Sequence, residues 1–391
     1  MRKLPLLAVL CAAMLGLAGG AAAQAPLKIG ILTELSGPVG PPGMGQRDGF
    51  LLYLKKVGGK LGGRTVETVI EDTAGDPATA INKAKKLVES DKVDLLVGPI
   101  SSASGAAIKS YVVSQQVPML MQSTVNEIGD GKYIFRVTFT ANEESFLHGY
   151  LTGKAGYKKA MLMAPNFNAG QSAVENMEKG FTAAGGTVVQ KLMPRLGNPD
   201  YGSFIGQISP DADVGLVLMI GGDAIRFIKA YADFGGKLPL WGPSSTVDET
   251  ILPAQGKAAL GFVGIAFYVS TLDTPENKAF IQEWRGAYQG LPAWFGAAGY
   301  ATGQILGEAL QRVGGNTTDK EALLKAIKGT RLTTPAGPFR FDANNDPVQP
   351  RYVMQIREVG GAVQPVILGA LPEYAPGGGP PQIPADLKLP K

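Results

Sequence analysis

The sequence is very poor in cysteine and histidine, and this shortage excludes several kinds of protein. It has one cysteine, Cys11, and one histidine, His148. A zinc site of the usual composition cannot be built from such a set. Without disulfides, stability must come from a buried core, which a chain of this length can supply. Because His148 lies in a predicted helix, we assign it a structural role.

A long apolar run occurs only at the start of the chain. Met1–Lys3 is basic, Leu4–Ala18 is apolar and small, and Ala21–Ala23 follows. This pattern predicts a secretory signal peptide over residues 1–23, with cleavage after Ala23. No later segment has the roughly 18 apolar residues that a membrane-spanning helix needs. We therefore expect an exported protein. Cys11 lies far from the cleavage site, so we do not expect it to carry a lipid.

The charge is nearly balanced and spread along the chain. The sequence has 37 basic and 33 acidic residues, and removal of the signal peptide takes away Arg2 and Lys3. No basic stripe or cluster of the kind that nucleic-acid binders carry is present. We therefore expect no nucleic-acid partner.

Strand-like and helical segments alternate through the remaining chain. Residues 28–33, 65–71 and 94–97 read as strands, and residues 44–57 and 77–90 read as helices. This order, with short glycine-rich turns, predicts an α/β fold with parallel sheets covered by helices on both faces. The length exceeds what one core usually supports, so we expect two Rossmann-like lobes.

Three connections read as hinges between the lobes, near Thr140–Asn142, Ser270–Asp273 and Asn344–Val348. Ligands of open parallel sheets bind at the carboxyl ends of the strands, so two facing lobes form a cleft. The predicted units are lobe 1 (residues 26–140 and 272–345), lobe 2 (residues 141–271 and 346–375) and an extended surface tail (residues 376–391).

Two serines follow a predicted buried strand at the point where a helix begins. Ser101 and Ser102 come directly after the turn Gly98–Ile100. Free backbone N–H groups and the helix dipole at such a point can hold a carboxylate without a basic side chain. The alternative is that one serine only caps the helix.

Several segments together resemble the periplasmic solute-binding proteins of the leucine/isoleucine/valine type. The resemblance covers essentially the whole chain after the signal and rests on Leu27–Pro38, Glu71–Asp72 with Asp76–Ala80, Val97–Pro99, Phe135–Arg136 and Leu240–Pro243. It implies a two-lobed, three-hinge monomer that closes on a small molecule in the periplasm and docks with an ABC permease, without cofactor or catalysis.

The resemblance also implies a ligand site. Ser102 and Thr124 match hydroxyl residues that hold the ligand carboxylate, and the turn with Phe167 and Asn168 matches the place where an aromatic side chain covers the ligand. Phe167 could equally be a core aromatic. Arg136 reads as a structural hydrogen-bond donor.

Departures from the amino-acid pattern favour a ligand without an ammonium group. Ser244–Thr246 follows Gly242–Pro243 where amino-acid binders place a carboxylate, and an enclosed ammonium without a counter-charge is costly. Asp248 or Glu249 could substitute. Gly221–Gly222 replaces an aromatic position and leaves room for a flat ligand.

A closer resemblance points to the branch of the family that binds benzoate-type aromatic acids. It rests on Gly58–Arg64, Phe227–Tyr231, Pro239–Pro243 and Gly337–Phe339. It implies that two serines and Thr124 hold the carboxylate, that two aromatic residues enclose the ring, and that Gln122 or Ser245 reaches a ring hydroxyl. The candidate ligand residues are Ser101, Ser102, Gln122, Ser123, Thr124, Phe167, Asn168, Gly222, Ser245 and Tyr268. Amino-acid binding for the same class of transporter is the alternative.

The alternative functions are those of an enzyme and of a ligand-sensing ectodomain of a signalling protein. The chain has no nucleophile elbow, no dinucleotide fingerprint and no phosphate loop, and His148 would have to serve any His-dependent triad. A sensing ectodomain shares the fold, but no membrane anchor follows the domain.

Overall fold

The computed structural model describes residues 25–37, 39–128, 131–375, 377 and 379–391. The predicted signal peptide lies outside the described residues. The described strands are β1 (Leu27–Thr33), β2 (Lys60–Leu61), β3 (Arg64–Asp72), β4 (Leu95–Val97), β5 (Met119–Met121), β6 (Ile134–Arg136), β7 (Lys159–Met163), β8 (Thr187–Leu192), β9 (Val214–Val217), β10 (Leu240–Pro243), β11 (Val263–Ala266), β12 (Arg331–Thr334), β13 (Gly337–Phe341), β14 (Pro347–Val359) and β15 (Ala362–Tyr374).

Helices alternate with these strands, as the sequence pattern predicts. The described helices are α1 (Gly40–Lys56), α2 (Pro77–Lys85), α3 (Ser102–Ser114), α4 (Ala141–Lys154), α5 (Asn168–Ala183), α6 (Gly202–Ile205), α7 (Gly221–Asp233), α8 (Leu252–Gln255), α9 (Pro275–Arg285), α10 (Trp294–Arg312) and α11 (Lys320–Lys328). A short π-helical segment, Lys86–Ser90, extends α2, and 3₁₀ turns occupy Ser244–Thr246 and Gly256–Ala259. No described helix is long and apolar enough to cross a membrane.

The first lobe is built on a sheet with the strand order β2-β3-β1-β4-β5-β6. All its neighbouring strands are parallel except the β2–β3 hairpin. At its centre Ile31 of β1 lies between Ile70 of β3 and Val97 of β4. The residues of β4 are apolar and fully buried, because helices cover both faces of a parallel sheet.

The second lobe is built on a sheet with the order β12-β13-β14-β11-β10-β9-β7-β8, and β15 pairs with β14. Strands β7 to β11 are parallel, while β14 runs antiparallel to β11 and β15. Helices α4 and α5 cover this sheet in close contact at Gly149 and Gly180. A Cβ atom on either glycine would overlap a backbone oxygen of the other helix. The two-lobed α/β prediction is confirmed.

Three connections, which we call the crossings, lie near the predicted hinges. They are residues 137–140 between β6 and α4, residues 267–274 between β11 and α9, and residues 342–346 between β13 and β14. The hairpin β12–β13 pairs with β14 of the second sheet, while Phe339 and Phe341 pack in the core around β1. The hairpin therefore bridges the sheets, and the exact lobe boundaries stay a prediction.

Polar contacts join the first and third crossings. The Arg136 Nε atom lies 2.7 Å from a carboxylate oxygen of Asp346, and the Gln349 amide donates to the Thr138 carbonyl at 2.7 Å. Phe139 and Phe267, from the first and second crossings, both pack against Trp294 of α10. The three crossings thus share one packed region.

The described part of the tail, residue 377 and residues 379–391, forms neither a helix nor a strand. The prediction was an extended tail on the surface, but two contacts attach this segment to the second lobe. The Gly377 N–H donates to the Glu143 carboxylate, and Leu387 is only 8% exposed and packs in the core of the second lobe.

Candidate functional site

The turn after β4 is held in place by a buried carboxylate. Gly98 has a positive φ of 96°, and a Cβ atom there would overlap the Leu32 carbonyl. Beyond this turn the Ile100 N–H donates to the Glu34 carboxylate at 3.1 Å, and Thr73 donates to the other Glu34 oxygen at 2.9 Å. Glu34 therefore fixes the turn that delivers the chain to the start of α3.

The two serines of this turn have different positions. Ser101 is the N-cap of α3, and its hydroxyl accepts a long bond of 3.4 Å from the Ser104 N–H. Ser102 is the first helical residue and is exposed, and its hydroxyl lies 3.0 Å from that of Thr124. We call Ser102 and Thr124 the hydroxyl pair. The pair stands at the positive end of α3, where an anion is favoured.

Gln122 and Ser123, which precede Thr124, point elsewhere. Gln122 is fully buried and donates from Nε2 to the hydroxyl of Thr302 in α10 at 2.9 Å. Ser123 is also fully buried, and its hydroxyl accepts from the Val125 N–H at 3.2 Å. The Ser123 side chain therefore stabilises its own turn, while the Gln122 Oε1 atom is buried without a partner among the described residues.

Arg136 has the structural role that we predicted. It is fully buried, pairs with Asp346, and donates from Nη1 to the Ser123 carbonyl at 2.8 Å. It thereby connects the turn of the hydroxyl pair to the third crossing.

In the second lobe, the predicted aromatic wall lies at the carboxyl end of β7. Phe167 is the N-cap residue of α5 and is partly buried, while Asn168 is exposed as the first residue of that helix. Phe167 makes no side-chain hydrogen bond at the cap. Its partial exposure leaves the ring able to contact a ligand.

The carboxyl end of β9 carries a guanidinium that sequence reasoning missed. Gly222 is exposed at the start of α7, and Arg226 lies beside it, so that a Cβ on Gly222 would be 3.1 Å from Nη1. Arg226 is held by an ion pair with Asp223 and by the Asn198 carbonyl, at 2.9 Å from Nε. In the sequence, the signal for this ion pair is the Asp-x-x-Arg spacing at the start of a predicted helix.

The turn after β10 contains hydroxyls, as the sequence shows, and a carboxylate further along. Ser245 is partly buried in the 3₁₀ turn, and Thr246 bonds to both backbone polar groups of Met219 at 3.2 Å. Glu249 follows, and one of its oxygens accepts from the Ser270 N–H at 2.8 Å. Burial raises the pKa of Glu249 above its ordinary value.

Tyr268 lies on the second crossing and is only 2% exposed. Its ring packs edge-on against Phe280 of α9, with 6.2 Å between the ring centroids. Its hydroxyl has no hydrogen-bond partner among the described residues. In the structure it is a buried ring with an unpaired polar end.

The predicted ligand residues follow the carboxyl ends of strands in both sheets, but few of them contact one another. They follow the carboxyl ends of β4 and β5 in one sheet, and of β7, β9, β10 and β11 in the other. Carboxyl ends of parallel strands form one edge of a sheet, which is the ligand edge of open α/β folds. The structure brings Ser102 and Thr124 into direct contact, whereas Gln122 and Ser123 face the interior of lobe 1.

Other features of the described chain do not compete with this site. Two surface cavities of about 460 and 740 Å³ are lined without any of the predicted ligand residues. No group of three or more His, Cys, Asp or Glu side chains that could hold a metal ion is present in the part of the chain that the structure describes.

Comparisons with known proteins concern the family and the fold. The family model described as periplasmic binding protein matches residues 26–362. The Leu/Ile/Val-binding protein homolog 6 of Brucella suis biovar 1 is 29% identical over 376 residues, covering 93% of this chain and 94% of that protein.

Solved structures are similar over the whole fold. An ABC transporter substrate-binding protein from Sphaerobacter thermophilus has a TM-score of 0.85 at 32% identity, covering 90% of this chain and 99% of that one. A solute-binding protein of an R. palustris ABC transporter, solved in complex with benzoate, has a TM-score of 0.82 at 31% identity, covering 92% and 100%.

Both predicted resemblances, to the leucine/isoleucine/valine type and to the aromatic-acid branch, are confirmed as resemblances by these matches. The family consists of substrate-binding proteins, which bind small molecules rather than transform them, and it implies a location outside the cytoplasm. The matched segment covers most of the chain and both sheets. The chain therefore belongs to the periplasmic binding protein family.

Proposed function

We propose that this protein captures a small organic carboxylate in the periplasm for an ABC importer, and that the preferred ligand is an aromatic acid of the benzoate or hydroxybenzoate kind. The observation that carries the proposal is the hydroxyl pair, 3.0 Å apart at the start of α3. Two hydroxyls and a helix N-terminus suit the two oxygens of a carboxylate.

The mechanism is closure of the lobes. The carboxylate binds first to the turns of lobe 1, and rotation about the three crossings brings the turns of lobe 2 over the rest of the ligand. Closure removes water from the carboxylate, which strengthens its hydrogen bonds because the local dielectric constant falls. A permease then recognises the closed form through the outer faces of both lobes.

The turn after β10 supports an aromatic acid over an amino acid. Ser244 and Ser245 carry no charge, so an ammonium at this turn would lack a partner. The half-buried Phe167 suits a flat ring, whereas the guanidinium of Arg226 lies beside Gly222, where the sequence predicted room for a flat ligand. The benzoate-bound relative from R. palustris also supports this ligand class.

Binding of a branched-chain amino acid is the second candidate. The name of the Brucella relative supports it. Structurally it requires Asp248 or Glu249 to supply the counter-charge for the ammonium. Both are half-buried acids that follow this turn, and Glu249 also contacts the second crossing.

A ligand screen tests the proposal. The purified mature protein is heated with benzoate, 4-hydroxybenzoate, 4-hydroxycinnamate, leucine, isoleucine or valine, and hits are measured by calorimetry. A ligand at 100 times its Kd stabilises a folded protein by about 2.7 kcal/mol. Stabilisation by the aromatic acids alone supports the proposal. Stabilisation by leucine alone would contradict it, and turnover of any compound would contradict a pure binding role.

A further inference from the structure

Three polar side chains lie together where the second crossing leaves the second lobe. Glu249 follows β10, and Tyr268 and Ser270 follow β11. Glu249 accepts from the Ser270 N–H at 2.8 Å. Burial raises the pKa of Tyr268, and the charge of Glu249 raises it further. Tyr268 and Ser270 are two residues apart, and Ser270 bonds to Glu249, so the three residues are neighbours.

Two of these polar ends are buried without a partner. The hydroxyls of Tyr268 and Ser270 are inaccessible to solvent and make no hydrogen bond to any described residue. Leaving a buried polar group unpaired is unfavourable, and such groups in native proteins usually have a partner. Two orphaned hydroxyls beside a carboxylate indicate a place where a bound molecule supplies the missing bonds.

The cluster lies between the lobes. Glu249 comes from the second lobe, whereas α9 of the first lobe contacts the other two residues. The Asn277 amide of α9 donates to the Ser270 carbonyl at 2.9 Å, and Phe280 packs on the Tyr268 ring. Strands β10 and β11 are parallel, so all three residues lie at the ligand edge of the sheet.

The bonding capacity of the cluster matches a neutral hydroxyl group. Tyr268 and Ser270 each have one O–H to donate, and the Glu249 carboxylate only accepts. A ligand hydroxyl can accept both donated bonds through its two lone pairs and donate its own proton to Glu249. An ammonium can only donate, so it would leave the hydrogens of Tyr268 and Ser270 unpaired.

We propose that Glu249, Tyr268 and Ser270 form a hydroxyl subsite that makes this protein select a hydroxylated aromatic acid over the unsubstituted one. This inference rests on the proposed function and names its substrate class more narrowly. It differs from the prediction that Gln122 or Ser245 reads a ring hydroxyl, since the Gln122 Nε2 atom donates to Thr302 within lobe 1.

The test compares one pair of ligands in several variants of the full mature chain. Calorimetry gives the Kd of benzoate and of 4-hydroxybenzoate for the wild type, Tyr268→Phe and Glu249→Gln. Two exposed or half-exposed positions on and after α9 supply the controls, Glu276→Gln and Tyr288→Phe. Circular dichroism melts establish that each variant is folded.

We expect the wild type to bind 4-hydroxybenzoate at least tenfold more tightly than benzoate. Both subsite variants should reduce that ratio at least fivefold, while their Kd for benzoate changes less than twofold and the controls keep the wild-type ratio. Tyr268→Phe removes a single unpaired oxygen, so it remains a test even if Glu249→Gln does not fold.

Two results would overturn the inference in distinguishable ways. If benzoate binds and the ratio is the same in the wild type and in Tyr268→Phe, the hydroxyl subsite is wrong while the proposed function stands. If neither aromatic acid binds, and leucine binds to the wild type but not to Glu249→Gln, then Glu249 is an ammonium partner and both proposals fail.

Discussion

Replacement of Ser102 by alanine provides the sharpest test of the carboxylate site, because Ser101 beside it offers a matched comparison. The Ser102 hydroxyl is exposed and contacts Thr124, whereas the Ser101 hydroxyl caps α3. If Ser102 donates to a carboxylate that closure buries, its loss should weaken binding by about 1–3 kcal/mol. That is a roughly 5- to 150-fold increase in Kd, since each 1.4 kcal/mol is tenfold.

The two serines should separate affinity from stability. Ser102→Ala leaves no buried group unpaired in the free protein, so its melting temperature should stay near that of the wild type. Ser101→Ala removes an N-cap and should cost about 0.5–1 kcal/mol of stability, at the low end because the capping bond is long, 3.4 Å. Its effect on Kd should be smaller than that of Ser102→Ala.

A double-mutant cycle with Thr124→Val tests whether the hydroxyl pair acts as a unit. Groups in one hydrogen-bonded network couple by about 0.5–3 kcal/mol, so the double variant should lose less than the two single variants together. The assay is calorimetry with the tightest acid from the screen, and Ser110→Ala, an exposed serine on the same helix, is the control. An unchanged Kd for Ser102→Ala in a folded protein would refute the assignment of the carboxylate site.

Three further predictions concern stability and are measured by denaturant or thermal unfolding. Asp346→Asn leaves the buried guanidinium of Arg136 without its charge partner and should cost about 3 kcal/mol, and a loss below 1 kcal/mol would contradict the structural role of the pair. Burial lowers the pKa of His148 below 6.5, so the unfolded chain takes up a proton at a higher pH than the folded protein does. The free energy of unfolding should therefore fall as the pH drops from 6.5 towards the pKa of the folded state. His148→Gln should lose this pH dependence, and an identical dependence in the variant would refute the argument. Leu387→Ala should cost about 2–4 kcal/mol if the tail is part of the core, whereas the exposed Leu260→Ala should cost under 1 kcal/mol, and equal losses would show that the tail is not packed.

Much of the fold was predictable from the sequence because it depends on local patterns. Short apolar strands such as β4 are buried on both faces of a parallel sheet, so they read as continuous apolar runs. The helices between them have their own spacing of apolar residues. The second crossing was harder to predict. The apolar run of residues 261–270 is typical of one long strand, but β11 ends at Ala266 because the chain then leaves the sheet towards α9.

The packed tail could not be predicted from composition. A proline- and glycine-rich segment indicates extended chain, and the described part of the tail forms neither a helix nor a strand. Whether such a chain lies free or against a core depends on a surface that distant residues build. Here the core of the second lobe, with Leu387 in it, provides that surface.

By itself, the sequence determined the two-lobed α/β architecture and the hydroxyls that follow strands β4 and β5, because these depend on periodicity and on the order of elements along the chain. Only the tertiary structure decided which polar side chains have partners. Gln122, Ser123 and Thr124 are neighbours in sequence, yet one bonds to α10, one closes its own turn and one meets Ser102. The orphaned hydroxyls of Tyr268 and Ser270 likewise appear only when their surroundings are known, since hydrogen bonding depends on distances between residues far apart in the chain.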